Sequence, residues 1–409
     1  MQKNYEVMEK LLKFISDHYA DDISRLILDR KKYHEIDIDL AVNCIESRRK
    51  LKGKVQEWHD NPALIFPLKL SAEQCSSSAT GRYKANLAEK IGVRTLADLT
   101  GGLGVDSWFF SQKAKTVIYN EMQTILCNAS RHNFKTLGSE NIIIKNHTAS
   151  VENLTEILGE DVDIVYIDPA RRGEGGKKVF LIEDCTPDVL TLKNEIFRKV
   201  RHILIKLSPM ADITMVCNRL GNTCREVHVV GTAGECKELL IWLDREWNNE
   251  YTIVASELNT DGVTKAFTFK PSDEKSAIPT YGSSVGKFLF EPGKALMKAG
   301  AFNLISERCE ISKLGRSTHY YTTDNSDTAE YLKSYGKVFK IIEYQPLDKR
   351  NLKYFGKQYP KSEVTARNIP IDSVTLKKKM GITSGDDAHI FGLKSDTEAN
   401  LLIVAKRMH

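Results

Sequence analysis

The stretch 94–106, RTLADLTGGLGVD, restricts the possible folds more than any other part of the chain. Residues 96–99 form an apolar run interrupted by one acid, Asp98. The run stops at Thr100, and Gly101, Gly102 and Gly104 follow at once. Val105, Asp106 and the apolar residues after them read as the first turns of a helix. The spacing predicts a strand, a tight glycine turn and a helix start. Glycine has no side chain to hold a ligand away from the backbone. The unpaired N–H groups of a helix start favour an anionic group.

Spacing separates the cofactors that such a turn serves. A dinucleotide fingerprint needs G-x-G-x-x-G, and Ser107 stands where the third glycine would be. The acid at the strand end suits a cation, such as the amine of a sulfonium nucleoside. The turn therefore points to S-adenosylmethionine rather than NAD. An ordinary strand-to-helix turn, with glycines for geometry alone, is the plain alternative.

A chain of 409 residues is long enough for two to four domains. No apolar run approaches the roughly 18 residues of a membrane span. The N-terminus, MQKNYEVMEK, lacks the apolar core of a signal peptide. The eight cysteines are scattered without C-x-x-C pairs, which argues for free thiols in a reducing cytoplasm and against structural zinc. Net charge is +5, but it is unevenly spread. After Thr280 there are about 21 Lys and Arg against about 14 acids, roughly +7, so the rest is roughly −2. A polyanionic partner handled by the C-terminal third is the expectation.

Residues 1–60 read as helices. Met8, Leu11, Leu12 and Ile15 recur at helical spacing, and 38–58 reads as a second helix. Its basic run, Arg48, Arg49, Lys50, Lys52 and Lys54, is either a solvated face or an RNA contact. Ser71 with Gln74 fits a capping box opening a helix. That segment precedes the glycine strand and would fold over the cofactor as a lid, with Gln74 and Tyr83 reaching the ligand.

From 94 to 243 strands and helices alternate. Strands are expected at 94–99, 116–120, 141–145, 162–167, 202–207, 226–231 and 237–243. Helices are expected at 104–113, 122–137, 149–158, 187–199 and 211–220. This is βαβ winding around a mostly parallel sheet, closed by an antiparallel hairpin. Beyond it come a strand pair, 251–257 and 263–270, and a helix, 293–305. The end reads as a small α+β module with strands 337–344, 363–369, 387–393 and 400–406 and basic helices at 348–356 and 372–380. The division is a helical domain 1–66, a Rossmann-like domain 67–245 and two small α+β parts, 246–329 and 330–409.

Ligand contacts in an open α/β sheet gather at the strand ends. Asp98, Thr100, Gly101, Gly102, Gly104 and Asp106 form the first group. Glu121, with Met122 after it, ends the second strand and would take both ribose hydroxyls. His147, after the third strand, would meet the adenine. Asp168-Pro169-Ala170-Arg171-Arg172-Gly173 ends the fourth. Asp-Pro makes a rigid turn there. Asp168 and Pro169 would orient a nucleophile, and Arg171 and Arg172 would grip a phosphate. Residues 206–210 are expected to face the same cleft, and 235–238 to close its substrate side.

At this point the chain resembles the bacterial class I S-adenosylmethionine-dependent methyltransferases that carry ferredoxin-like and C-terminal THUMP-like domains. The stretches that carry the resemblance are LSAEQCSSSATGRYKA, ADLTGGLGVD, YIDPARRG, IKLSPMADI, GECKELL, FEPGKALMKAGAF and TARNIPIDSVTLKKKMGI. It implies cofactor binding by the middle domain and an RNA substrate, tRNA first. DPARRG is also similar to the DPAR segment of RNA 5-methyluridine methyltransferases, which attack the base with a cysteine after the fifth strand. Here that place reads LSPM, so transfer to nitrogen is expected rather than through a cysteine adduct. The rival expectations are a methyltransferase acting on a protein or small molecule, and a non-catalytic scaffold that binds the cofactor or RNA.

Overall fold

Four short apolar runs build the centre of the first sheet: β1 (Thr95–Asp98), β2 (Thr116–Asn120), β3 (Ile142–Lys145) and β4 (Ile164–Ile167). β1 pairs in parallel with β2 on one side and β4 on the other, and β3 lies outside β2. Every residue of β4 is buried, as expected of a parallel strand covered on both faces. His202–Leu207 continues the sheet parallel to β4, and residues 239–244 then pair with it antiparallel. This computed structural model describes residues 2–171, 181–232, 234–258, 265–282, 284–396 and 400–408. None of the helices in that part is long and apolar enough to cross a membrane.

The chain falls into two compact units, Met1–Arg225 with Leu239–Asn249, and Glu226–Glu238 with Glu250–His409. In the first unit the helices Gln2–Asp17, Ile23–Leu28 and Ile38–Leu51 share one core with Ile65 and with Ala129 of the helix Thr124–Thr136. Asn133 seals that junction: its Nδ2 donates to the Ile65 carbonyl at 2.7 Å, and its Oδ1 accepts from the Ile65 N–H at 2.8 Å.

Two expectations about the N-terminal helices change. The helix read over 38–58 ends at Leu51; Gly53 takes a left-handed φ of 70°, and only Gln56–His59 is helical again. Four of the five cations in its basic run are tied up locally. Arg48 is buried and donates to the carbonyls of His59, Asn61, Pro62 and Leu64, while Arg49 bonds the carbonyls of Tyr19 and Asp21. Lys54 donates to Ala72 and Glu73 carbonyls, and Lys50 pairs with Glu73. Arg48, Arg49, Lys50 and Lys54 thus hold turns together, while Lys52 is exposed. The capping box also moves. Ser71 and Gln74 lie inside the short helix Lys69–Gln74, and the reciprocal cap forms between Ser77 and Thr80 at the start of Ser78–Ile91.

In the second unit, Thr252–Leu258 pairs parallel with residues 226–232 and antiparallel with Ala266–Phe269. The residues that join this expected pair, 259–264, lie outside the described residues. An eight-stranded sheet follows, with Phe288–Pro292, Gly336–Pro346, Leu401–Arg407, Thr383–Leu393 and Lys361–Arg367 side by side in that order. The helix expected over 293–305 is two short ones, Lys294–Ala299 and Leu304–Arg308. Gly300, with φ 84°, caps the first and turns the chain out of it.

Candidate functional site

A cavity of about 290 Å³ opens where β1 to β4 end. That is at the lower end of small-molecule pockets, which run about 300–1,000 Å³. Its walls come from residues 98–106, from Glu121 and Met122, from His147, from Asp168, and from Gln74, Cys75 and Ser76. Of the cofactor contacts expected from sequence, Asp98, Thr100, Gly101, Gly102, Gly104, Asp106, Glu121, Met122, His147 and Gln74 all line it. Tyr83 does not, because the helix Ser78–Ile91 presents Lys84 inward instead. Ala170 lines it too; Arg171 is described only in its backbone, and Arg172 lies outside the described residues.

The glycine turn is held by hydrogen bonds and by tight packing. The Gly101 N–H donates to the Asn120 carbonyl at 2.7 Å, and the Gly104 N–H to the Gly101 carbonyl at 2.8 Å. A Cβ on Gly101 would lie 2.3 Å from the Tyr119 ring, so no larger residue fits without moving it. Gly102, at φ 53°, has only the Thr100 carbonyl within 4 Å of such a Cβ, at 3.8 Å, so it faces open space. Glu121 braces the turn from the other side. Its carboxylate accepts from the N–H of Gly102 at 3.0 Å and of Gln123 at 2.8 Å. Asn120 ties the β1 and β3 ends together, donating to the carbonyls of Leu99 and His147 and accepting from the His147 N–H.

Three carboxylates crowd this end of the sheet, each with different partners. Asp98 is fully buried, and burial pushes its acid up to about 7 against the help of Ser107 and the Thr100 N–H. Both of its oxygens are engaged, Oδ2 by Ser107 Oγ at 2.6 Å and Oδ1 by the Thr100 N–H at 3.0 Å. Burial acts against the charge of Asp106 as well, yet Lys84 and Lys206 outweigh it and hold the acid below its ordinary value. Asp106 Oδ2 accepts from Ser76 Oγ at 2.9 Å and Tyr166 OH at 2.8 Å. Its Oδ1 lies 3.3 Å from Lys84 Nζ and is buried, with no hydrogen bond among the described residues. Asp168 Oδ2 is ion-paired with Lys206 Nζ at 2.6 Å, and the Asp168 N–H donates to Thr100 Oγ1 at 2.7 Å.

Sequence reasoning missed Lys84, Ser76 and Tyr166. Lys84 had a signal: it falls on the stripe Gly81, Lys84, Ala85, Ala88, where only small or apolar residues would be expected. A lysine on that stripe has to meet a buried carboxylate. Cys75 also lines the cavity, and burial raises its thiol to about 11.

The residues present suit a cationic nucleoside. The cavity has an open glycine edge, a braced acid after β2, and beside β4 the acid Asp106, one oxygen of which faces the Lys84 ammonium without a hydrogen bond among the described residues.

Comparison with known proteins agrees with this architecture. Residues 288–328 match a ferredoxin-like domain and residues 336–407 a THUMP domain-like family. A candidate methyltransferase from Porphyromonas gingivalis W83 superposes with TM-score 0.86 at 28% identity, covering 99% of both chains. An rRNA methylase from Streptococcus thermophilus, at 14% identity and TM-score 0.30, covers 40% of this chain and 93% of its own. A candidate methyltransferase from Streptococcus mutans, solved with SAH, gives the same identity and TM-score over 40% of this chain and 95% of its own. No curated protein matches the chain. The chain has the architecture of the class I methyltransferases that carry a ferredoxin-like domain and a C-terminal THUMP-like domain.

Proposed function

We propose that the protein is an S-adenosylmethionine-dependent methyltransferase acting on a base nitrogen of RNA, with tRNA the expected form. One observation carries this reading: a single glycine-walled cavity has acids flanking β1 on both sides, Glu121 after β2 and Asp106 and Asp168 toward β4. In this reading Glu121 receives the ribose hydroxyls, His147 and Met122 border the base, and Asp106 receives the amine. The cofactor, when bound, supplies a methyl group on a sulfonium. Asp168 accepts a hydrogen bond from the acceptor's amino group and aims its lone pair, with Lys206 fixing the carboxylate. Pro169 keeps that turn rigid, and Arg171 and Arg172 grip a phosphate. Alignment of this kind supplies about 7–11 kcal/mol of a barrier.

Transfer to nitrogen is favoured over a cysteine adduct. The loop after His202–Leu207 has no cysteine, and Cys75, which does border the cavity, is held as the thiol rather than the nucleophilic thiolate. The eight free thiols suit the cytoplasm. The four-part division at 66, 245 and 329 stays part of the proposal.

Calorimetry with S-adenosylhomocysteine tests the cavity, and saturable heat is expected. Transfer of labelled methyl groups to total RNA tests the substrate, with Asp168→Ala as the inactive control. Label appearing in protein or small molecules but not in RNA would refute the substrate class.

A further inference from the structure

The helices Lys349–Gln358 and Ser373–Met380 carry the most one-sided charge on the second unit. Their inner faces share one core, in which Leu352 and Phe355 meet Leu376 and Met380. Contact between the two is close: a Cβ on Gly356 would lie 1.9 Å from the Met380 carbonyl oxygen, so only glycine fits there. The outer faces therefore sit side by side. Lys349, Lys353 and Lys357 stand four residues apart and form one exposed row, with steps of roughly 6 Å along the axis. Arg350 and Tyr354 form the next row, and Tyr354 is 43% exposed. Lys378 and Lys379 are exposed on the second helix.

This arrangement works against the helix. Like charges four apart repel each other. Lys349 and Arg350 occupy the first turn, where the helix dipole disfavours cations. None of the six cations makes an ion pair among the described residues, although Lys377 beside them reaches Glu363 at 4.0 Å. The nearby acids Asp348 and Asp372 are spent on the N-caps, accepting from the Asn351 and Thr375 N–H groups. Among the described residues no acid pairs with the row.

We infer that this two-helix face docks a nucleic-acid backbone, with the Lys349–Lys353–Lys357 row against phosphates and Tyr354 as a stacking platform for an unpaired base. A row of cations with an exposed aromatic beside it is the chemistry that single-stranded or looped RNA presents a match for. The inference rests on the RNA reading above, and it names the surface.

The test is filter binding of bulk tRNA to the full chain over a salt series. The triple variant K349E/K353E/K357E changes only exposed positions. It is expected to weaken binding at least 10-fold and to flatten the salt dependence by about 0.7–0.9 per lost phosphate contact. Its heat with S-adenosylhomocysteine stays as in the unmodified protein. Tyr354→Leu is expected to lower affinity for single-stranded RNA about 5-fold or more with the salt slope kept. If the unmodified protein binds tRNA and the triple variant binds equally, this face is not the docking surface, while the RNA reading stands. If the unmodified protein binds no RNA, the RNA reading itself fails. Binding to phosphatidylserine vesicles in place of tRNA would overturn the inference in favour of a membrane surface.

Discussion

Asp98 and Asp106 show how two acids eight residues apart come to different work. Asp98 is the acid that the sequence singles out for the ligand's amine, yet its oxygens are already taken and burial favours its neutral form. Asp106 keeps its charge through Lys84 and Lys206, and among the described residues its Oδ1 faces the Lys84 ammonium at 3.3 Å without a hydrogen bond. We therefore expect Asp106→Asn to weaken S-adenosylhomocysteine binding about 10- to 100-fold, the worth of a charge-assisted hydrogen bond. Methylthioadenosine lacks the amino-acid portion, so its affinity should be unchanged. Equal losses for both ligands in calorimetry would move the amine elsewhere. Asp98 predicts a pH effect on stability. The unfolded acid releases its proton near 3.8 and the folded one near 7, so between those values the folded state holds more protons. Stability contributed by Asp98 is therefore full below about pH 4 and falls as pH rises toward 7. Urea titrations of Asp98→Asn should show a flatter decline across that window than the unmodified protein.

At the scale of elements, the parallel sheet and its helices were readable because buried apolar runs of four to six residues alternate with helical stretches. The errors fell where side chains rather than periodicity decide. The basic end of Ile38–Leu51 looks like a solvated face in one dimension, but the chain folds back so that four carbonyls between residues 59 and 64 converge on Arg48. A guanidinium has five donors in a fixed fork and satisfies such a turn alone. Arg48→Ala should cost at least about 3 kcal/mol, since it strands buried carbonyls. Arg48→Lys should recover only part of this, because one ammonium cannot span the same four acceptors. Chemical denaturation measures both. Ser71–Gln74 is a comparable error: Ser77 permits a second start six residues after Ser71, and the reciprocal Ser77–Thr80 bonds show that the chain uses it.

For the whole molecule, the two compact units are not consecutive pieces of chain. Residues 226–238 belong with the second unit and 239–249 with the first. No single cut separates them. A fragment 1–249 would leave the buried residues Val227, Val229 and Val230 without their partner strand Thr252–Leu258. It should accumulate as aggregate where the full chain stays monodisperse in size-exclusion chromatography, as expected for an exposed strand edge. A well-behaved fragment would mean that the crossing strand contributes little to either core.

The sequence by itself determined the order of elements, the glycine turn and the positions at the strand ends, because these follow from local backbone freedom and apolar period. It also carried the charge imbalance of the C-terminal third. Only the tertiary structure decided which acid stays charged, which lysines meet it and which cations make no ion pair among the described residues. Protonation and pairing depend on burial and on neighbours brought together from distant parts of the chain, such as Lys84 with Asp106 and Lys206 with Asp168. No spacing along one strand of sequence contains those distances.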